Sequence, residues 1–279
     1  MSKRTIIDSP QQSLYGQPSV QFRPNDFNAA IWSHGYDIIC EKAVRCPCQG
    51  NGGAPLPDCQ NCHGFGYFFI NPTRTKALIT GLNKSTNYVQ WSPELIGTAA
   101  ITVRDEDKEL ISYFNRVTLE DEYAVFTEMA LARGIEGSTI GRAIIESTLV
   151  VGGRKIYFCF LTYAPTEIES IYLYKSSGEP LIKLSKGDYM IPEDSPYCVV
   201  FVTDEVVEDV GVSVTYRHRV EYHIIDLPHE IRASLGKNKL SGQFEILKMP
   251  IQGIGRRSHL VLNKPDFWGE GVIYNDDVR

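Results

Sequence analysis

Residues 211–225 read GVSVTYRHRVEYHII, in which apolar or aromatic side chains recur at every second position. Such alternation places one set of side chains on each face of an extended chain. The stretch predicts one long strand or a bent pair of strands, with Arg217, Arg219 and Glu221 on the polar face. The residues on the opposite face are Val212, Val214, Tyr216, His218, Val220, Tyr222 and Ile224.

Strand-like periodicity also dominates the sequence that precedes this stretch, with turn residues at frequent intervals. The run IYFCFLTY at 156–163 is apolar or aromatic on both faces, which predicts a central strand covered on each side. We therefore expect a mainly β fold, built as a β-barrel or sandwich. Further predicted strands cover 98–103, 111–117, 122–127, 144–151, 171–174, 181–184, 189–191 and 197–202, and 228–235 is a helix candidate.

The N-terminal region is predicted to be a polar arm, residues 2–24, followed by one short helix. Asn25 can cap this helix, apolar residues follow at helical spacing, and Gly35 can end it. The predicted organisation has four parts: arm and helix at 1–35, a zinc knuckle at 36–78, a main β domain at 79–163 and 210–279, and a small inserted β unit at 164–209.

A cysteine cluster lies in the string CPCQGNGGAPLPDCQNCHGFGY, residues 46–67. Two cysteine pairs joined by a ten-residue loop can bring four thiolates around one tetrahedral ion. The glycines allow the backbone to turn back, and the prolines restrict the unfolded chain. We predict a closed, structural zinc site with the ligands Cys46, Cys48, Cys59 and Cys62.

Two alternatives to the metal site are a pair of disulfides and four unrelated buried thiols. Disulfides require an oxidising compartment, and the N-terminus MSKRTIIDSPQQ has no secretory signal pattern. The cysteine count is 7, an odd number, and Cys40, Cys159 and Cys198 lie in apolar strand-like surroundings, where we expect small buried side chains. His63 is a further candidate to replace one sulfur ligand.

The composition is that of a soluble globular protein, with 43% hydrophobic and 22% charged residues and no apolar run long enough to cross a membrane. The formal net charge of −6 disfavours binding to nucleic-acid phosphates. The basic residues that flank the cysteines, expected to be solvated surface charges, are Lys42, Arg45, Arg74 and Lys76.

Enzymatic activity is not expected from the motifs of this chain. The sequence has no nucleophile elbow, phosphate-binding loop or dinucleotide fingerprint. Its acidic groups at 105–109 and 120–122 have no partner histidine, and we interpret them as solvated loop charges. A closed zinc site also leaves no open position for an activated water.

Two segments resemble neck or head-to-tail connector proteins of tailed bacteriophages, of the ring or stopper-like kind: FNAAIWSHGYDIICEKAVRCPC at 27–48 and DCQNCHGFGYFFINP at 58–72. The stretches 96–128, 212–232 and 248–262 are similar in texture to the same proteins. The resemblance implies a virion protein, assembled in the host cytoplasm, whose copies form a ring on the portal vertex. Such a ring joins portal to tail proteins and retains or conducts DNA without sequence-specific contact.

Two other functions stay open at this point. One is a zinc-ribbon module that binds nucleic acid or acts as a regulator. The other is a carboxylate-dependent hydrolase, which requires two carboxyl groups about 5 to 10 Å apart in a cleft.

Overall fold

A computed structural model describes residues 24–49, 55, 59, 61–62, 65–81, 96–134, 156–175, 180–193, 195–207, 210–229, 233–237 and 244–261. The helices are α1 (Pro24–His34) and α2 (Ser258–Val261), with 3-10 turns at Pro47–Gln49 and Asp105–Leu110. The strands are β1 (Tyr36–Arg45), β2 (Tyr67–Gly81), β3 (Thr98–Val103), β4 (Arg116–Leu131), β5 (Arg133–Gly134), β6 (Tyr157–Phe160), β7 (Pro165–Tyr174), β8 (Ile182–Lys183), β9 (Tyr189–Met190), β10 (Cys198–Phe201), β11 (Gly211–His229), β12 (Ala233–Lys237), β13 (Phe244–Lys248) and β14 (Ile251–Arg257).

Six strands close into an antiparallel barrel in the order β1, β2, β3, β14, β11, β4. The barrel closes because β14 pairs with β3 along one edge and with the C-terminal half of β11 along the other. Apolar side chains from β1, β2, β3, β4 and β11 fill the interior, among them the fully buried Ile38, Ile101 and Ile224. A closed barrel leaves no unpaired strand edge around its own circumference.

A two-layer sandwich lies beside the barrel and shares its longest strands. The N-terminal half of β11 pairs with β4 on one side and with β7 on the other, and β8 extends this layer. The second layer has the order β5, β6, β10, β9. Between the layers lies a core that includes Leu161, Ile171, Val199, Val212 and Tyr216. The prediction of a mainly β barrel or sandwich is confirmed, because the chain builds both.

Strand β11 changes role along its length at an irregularity between Arg219 and Glu221, where its register with β4 shifts. Before this point β11 belongs to the sandwich, and after it β11 closes the barrel. The predicted long strand at 211–225 is therefore confirmed as one strand that serves two cores. The predicted central strand within 155–163 is also confirmed: one face of β6 packs in the sandwich core, and Phe158 and Phe160 on the other face are buried in a separate cluster.

The predicted short N-terminal helix is confirmed as α1, which buries Ile31 completely. The helix ends at Gly35, whose N–H donates to the Ile31 carbonyl oxygen at 2.8 Å. A Cβ at position 35 would lie 2.3 Å from that oxygen, so a side chain does not fit without movement of the backbone. None of the described helices is long and apolar enough to cross a lipid bilayer.

Two predicted elements are wrong. The strand predicted at 111–117 begins only at Arg116, because the chain turns before it and Phe114 adopts a left-handed φ of 66°. The described residues of the helix candidate at 228–235 are strand: β11 continues to His229, and β12, which begins at Ala233, pairs with β13. In this strand region the backbone forms hydrogen bonds with a neighbouring strand, and local sequence preference does not predict such pairing.

The four domain ranges stay predictions, and the strand pairing crosses several of their limits. From the range 164–209, β7 pairs with β11 and β10 pairs with β6. From the range 36–78, β1 and β2 form part of the barrel wall. The predicted strand at 144–151 and the predicted arm at 2–23 lie outside the described residues.

Candidate metal centre

The four clustered cysteines lie on the connection between β1 and β2. Cys46 directly follows β1, Cys48 lies in the adjoining 3-10 turn, and the other two lie shortly before β2. The antiparallel pairing of β1 with β2 extends to Arg45 and Tyr67. One more backbone hydrogen bond, from the Cys46 N–H to the Gly66 carbonyl oxygen at 2.8 Å, closes the base of the connection. The barrel hairpin therefore brings both ends of the cysteine segment together.

The sulfur atoms are arranged as a closed set of ligands. The Sγ atoms of Cys46 and Cys59 are 3.6 Å apart, those of Cys48 and Cys62 are 3.5 Å apart, and all four lie within 4.8 Å of one another. A tetrahedral ion with metal–sulfur distances of about 2.3 Å requires sulfur atoms roughly 3.8 Å apart. A disulfide requires about 2.05 Å. The four cysteines thus form a cluster that can hold a metal ion.

Backbone groups favour the thiolate form of Cys59. Burial opposes ionisation of this thiol, but the backbone N–H groups of Cys62 and Asn61 donate to its sulfur and lower its pKa to about 7. Burial raises the pKa of Cys46. Since a metal binds thiolates and not thiols, loading such a cluster releases protons and depends on pH. Cys46 and Cys62 are buried, whereas Cys48 and Cys59 are partly exposed.

The other three cysteines are structural, as predicted. Cys40 lies in the barrel core, Cys159 in the sandwich core and Cys198 in the cluster on the outer side of β6 and β10. Burial raises the pKa of Cys40 to about 12 and that of Cys198 well above its usual range. Thiols in such surroundings are inert. His63, the alternative ligand, lies outside the described residues.

The buried side of the cysteine connection packs against the body of the protein. The Phe65 ring lies edge-on to the Tyr197 ring, with centroids 6.4 Å apart, and the Phe65 N–H donates to the Cys62 carbonyl oxygen. A cavity of about 350 Å³ lies between the connection and the body. Its lining includes Cys62, Phe65, Phe69, Arg116, Tyr197 and Glu221.

A buried polar cluster forms the body side of this contact. The Arg116 Nε donates to Glu41 at 2.7 Å, Nη1 donates to the Tyr197 hydroxyl, and the guanidinium lies 4.3 Å from the centre of the Phe69 ring. Glu221 is 7% exposed and accepts a hydrogen bond of 2.6 Å from the Ser258 hydroxyl. Burial raises the pKa of Glu221, although the nearby Arg116 opposes the rise.

Sequence reasoning missed this cluster because its members are far apart in the chain and carry no local motif. Glu221 was expected on the exposed, polar face of the alternating strand. Glu221 does lie on that face, since Val220, Tyr222 and Ile224 face the barrel core, but the face is covered at this point by other parts of the chain. Alternation alone does not indicate whether the second face of a strand is covered.

Two of the charges that flank the cysteines, Arg74 and Lys76, have partners within the protein. Arg74 pairs with Glu120 at 2.7 Å, and Lys76 pairs with Asp37 at 3.0 Å. The acidic string at 105–109 is anchored by Arg104, which bonds Asp107 at 2.8 Å. Arg74 and Glu106 are exposed as the sequence interpretation expected, with side chains 80% and 73% exposed, but they also form ion pairs that it did not predict.

No protein-family model and no curated protein matches this chain.

Proposed function

We propose that this protein is a structural component of the neck of a tailed bacteriophage, where its copies form a ring that joins the capsid portal to the tail. The observation that carries the proposal is the closed four-cysteine cluster on the β1–β2 connection. This cluster lies in the two segments, 27–48 and 58–72, that resemble connector proteins. The β-rich body agrees with the barrel or sandwich expected of that family.

The metal that we propose for the cluster is zinc, in a structural role. Four sulfur ligands in a tetrahedral arrangement suit zinc or an iron–sulfur centre, and a set of four thiolates closes the coordination sphere. Zinc does not need a redox partner and holds small loops that lack a core of their own. In this account the ion orders the connection and does not react.

Within the predicted zinc knuckle at 36–78, the cysteine connection, residues 46–66, acts as a contact element. Its Cys62 and Phe65 side rests on the body at Tyr197, so the side with the partly exposed Cys48 and Cys59 faces outward. A metal-held loop with one anchored side presents a rigid surface to the portal, a tail protein or the next copy. Rigid surfaces lose little conformational entropy on binding.

DNA is proposed to pass through the ring without sequence-specific contact, within virions assembled in the host cytoplasm. The net charge of −6 supports passage without adhesion, because phosphates are repelled by an acidic surface. The ion pairs of Arg74 and Lys76 further disfavour the alternative of a zinc-ribbon module that binds nucleic acid. A salt-dependent gel shift tests this alternative, and we expect no retardation of DNA at physiological salt.

The hydrolase alternative has one observation in its favour. Glu41 and Glu221 line the same cavity of about 300 Å³, together with Arg116 and Tyr197. Both carboxyl groups have protein partners, Arg116 for Glu41 and Ser258 for Glu221, and Glu221 is 7% exposed. These contacts suit a buried polar cluster that joins strands better than a pair of catalytic carboxyl groups facing a substrate.

The experiment that tests the proposed function is analysis of purified virions. We expect mass spectrometry to detect this chain in the particles and electron microscopy with a labelled chain to place it as a ring between portal and tail. A chain that is monomeric in solution and absent from purified particles contradicts the proposal.

A further inference from the structure

The contact between Phe65 and Tyr197 joins one cysteine of the metal cluster to the sandwich. Phe65 lies three residues after Cys62, and its N–H donates to the Cys62 carbonyl oxygen at 2.8 Å. The Phe65 ring lies edge-on to the Tyr197 ring, with centroids 6.4 Å apart and planes at 73°. Aromatic pairs favour this arrangement. Cys62 is therefore held to the body through one backbone turn and one ring contact.

Gly66 continues this link to the other buried cysteine. It adopts a left-handed φ of 79°, and its carbonyl oxygen accepts the Cys46 N–H at 2.8 Å. Cys46 is 2% exposed and Cys62 1%, so these two cysteines lie on the covered side of the cluster. The position of Phe65 on the body thus fixes the backbone beside both of them.

Tyr197 is held on the body side by groups that do not belong to the cysteine connection. Its carbonyl oxygen accepts the N–H of Leu161 at 2.8 Å. Its ring packs against the apolar cluster on the outer side of β6 and β10. Its hydroxyl accepts a hydrogen bond from Nη1 of Arg116. Because its backbone, ring and hydroxyl are all held, Tyr197 offers Phe65 a rigid surface.

Arg116 links Tyr197 back to the hairpin that carries the cysteines. Its Nε donates to Glu41 of β1 at 2.7 Å, and its guanidinium lies 4.3 Å from the centre of the Phe69 ring of β2. The contacts therefore form a closed path from the hairpin through Arg116 and Tyr197 to Phe65. Such a path positions the cysteine connection relative to the strands on which it is built.

We infer that Tyr197 is a positioning residue of the metal centre, which acts through Phe65 and raises the affinity of the cysteine cluster for zinc. A small loop that folds as it binds its metal adds the free energy of its other contacts to that of metal binding. The coupling is reciprocal, so zinc also stabilises the packing around Tyr197. The inference rests on the zinc site of the proposed function, and the place of the chain in the virion does not enter it.

The test is the zinc affinity of the full-length protein at pH 7, measured by competition with a chromophoric chelator. Phe65→Leu and Tyr197→Leu each remove one ring of the contact. We expect each variant to bind zinc about tenfold more weakly than the wild type. The double variant should bind no more weakly than the single variants, since either change already removes the contact. Losses that multiply in the double variant would overturn the inference.

Tyr197→Phe separates positioning from general stability. It keeps the ring and removes the acceptor of the Arg116 hydrogen bond. We expect its zinc affinity to stay within about threefold of wild type, while its urea midpoint falls. Tyr197→Leu should lower both. A zinc affinity that simply follows the urea midpoint across the two variants would show a structural role alone.

Unfolding with and without zinc tests whether the ring contact depends on the metal. Zinc should raise the urea midpoint of the wild type, because it binds the folded chain. Phe65→Leu should match the wild-type midpoint without zinc and fall below it with zinc. An equal decrease in both states would mean that the contact forms without the metal, which contradicts the coupling.

The matched control removes another partly buried tyrosine. Tyr172 lies on β7, with Lys183 Nζ 6.0 Å from its ring centre, and it does not line the cavity between the connection and the body. Tyr172→Leu should leave the zinc affinity unchanged. A decrease as large as that of Tyr197→Leu would show a general effect and overturn the inference.

The remaining outcomes distinguish this inference from the proposed function. Wild-type affinity in both Phe65→Leu and Tyr197→Leu overturns the inference and leaves the zinc site in place. A wild-type chain that binds no zinc contradicts the inference and the proposed zinc site together. A chain that shows the expected losses but is absent from purified virions contradicts only the proposed place in the neck.

Discussion

Replacing Arg116 by glutamine removes a guanidinium that faces two buried carboxyl groups. The Arg116 side chain is 15% exposed and that of its partner Glu41 is 16%, while Glu221 is 7% exposed. Deleting one member of a buried ion pair costs about 3 to 5 kcal/mol, because the remaining charge is left without compensation. We therefore expect Arg116→Gln to lower the free energy of unfolding by about that amount.

The matched control is Arg74→Gln. Arg74 also bonds a glutamate through Nε at 2.7 Å, but its side chain is 80% exposed. Exposed pairs contribute about 0 to 1 kcal/mol. Arg116 in addition donates to Tyr197 and lies over the Phe69 ring, so the comparison measures the whole buried cluster against one exposed pair. The assay is urea unfolding followed by tryptophan fluorescence at pH 7. Equal losses for the two variants, or a loss below about 1 kcal/mol for Arg116→Gln, would refute the assignment of a buried cluster.

A double variant shows whether the cost comes from the unpaired carboxylate. Glu41→Gln added to Arg116→Gln removes the charge that the single variant leaves behind. We expect the double variant to be more stable than the sum of the two single changes implies. Additive losses would place the stabilisation in side-chain packing and not in the charge pair.

Three further predictions concern the knuckle, the N-terminal helix and acid stability. Cys59→Ser should release the metal and increase hydrogen exchange within residues 46–66, while the barrel stays protected. The control Cys198→Ala should retain the metal. Equal metal content in both variants would contradict the ligand assignment. Gly35→Ala should lower the urea midpoint of unfolding, because the new Cβ would lie 2.3 Å from the Ile31 carbonyl oxygen. Gly187→Ala should not lower it, because no atom lies within 4 Å of a Cβ there. Similar midpoints for the two variants would disprove the collision. Burial lowers the pKa of His223 to about 4 from an ordinary 6.5, so its neutral form favours folding above pH 6.5 and this contribution is lost as pH falls toward 4. Between pH 7.5 and pH 5 the wild type should therefore lose about 2 kcal/mol more than His223→Phe in urea titrations, and parallel losses would argue against a buried neutral histidine.

The fold class could be predicted from the sequence because side-chain alternation is a local signal. The stretch 211–225 shows it clearly, and the structure confirms one continuous strand there. The barrel itself could not be predicted, since closure depends on pairs such as Tyr222 with Arg257 that are distant in the chain. Local patterns contain no information about which strand edges meet.

The metal cluster could be predicted because its four cysteines lie close together in the sequence. The polar cluster could not, because its members are far apart. Cysteine spacing within 46–62 is short, so the chain itself brings the four sulfur atoms together once β1 pairs with β2. Arg116, Tyr197 and Glu221 are far apart in the chain and lie close together only through the tertiary fold. The burial of Glu221 also depends on residues from elsewhere in the chain that cover the second face of β11, which alternation does not predict.

The contact of the knuckle with the body of the protein was not predicted from the sequence. The ring contact between Phe65 and Tyr197 attaches it to the same surface as the Arg116 cluster. Metal binding and the packing of this surface are therefore expected to influence each other. Of the four cysteines, Cys48 and Cys59 are the two that are partly exposed.

The central claim is that the four cysteines hold one structural zinc ion. The most direct measurement is metal analysis of the purified full-length protein combined with X-ray absorption at the zinc edge. We expect one zinc per chain with four sulfur neighbours at about 2.3 Å. Protein that contains no stoichiometric zinc, or zinc bound by nitrogen or oxygen in place of sulfur, would contradict the account.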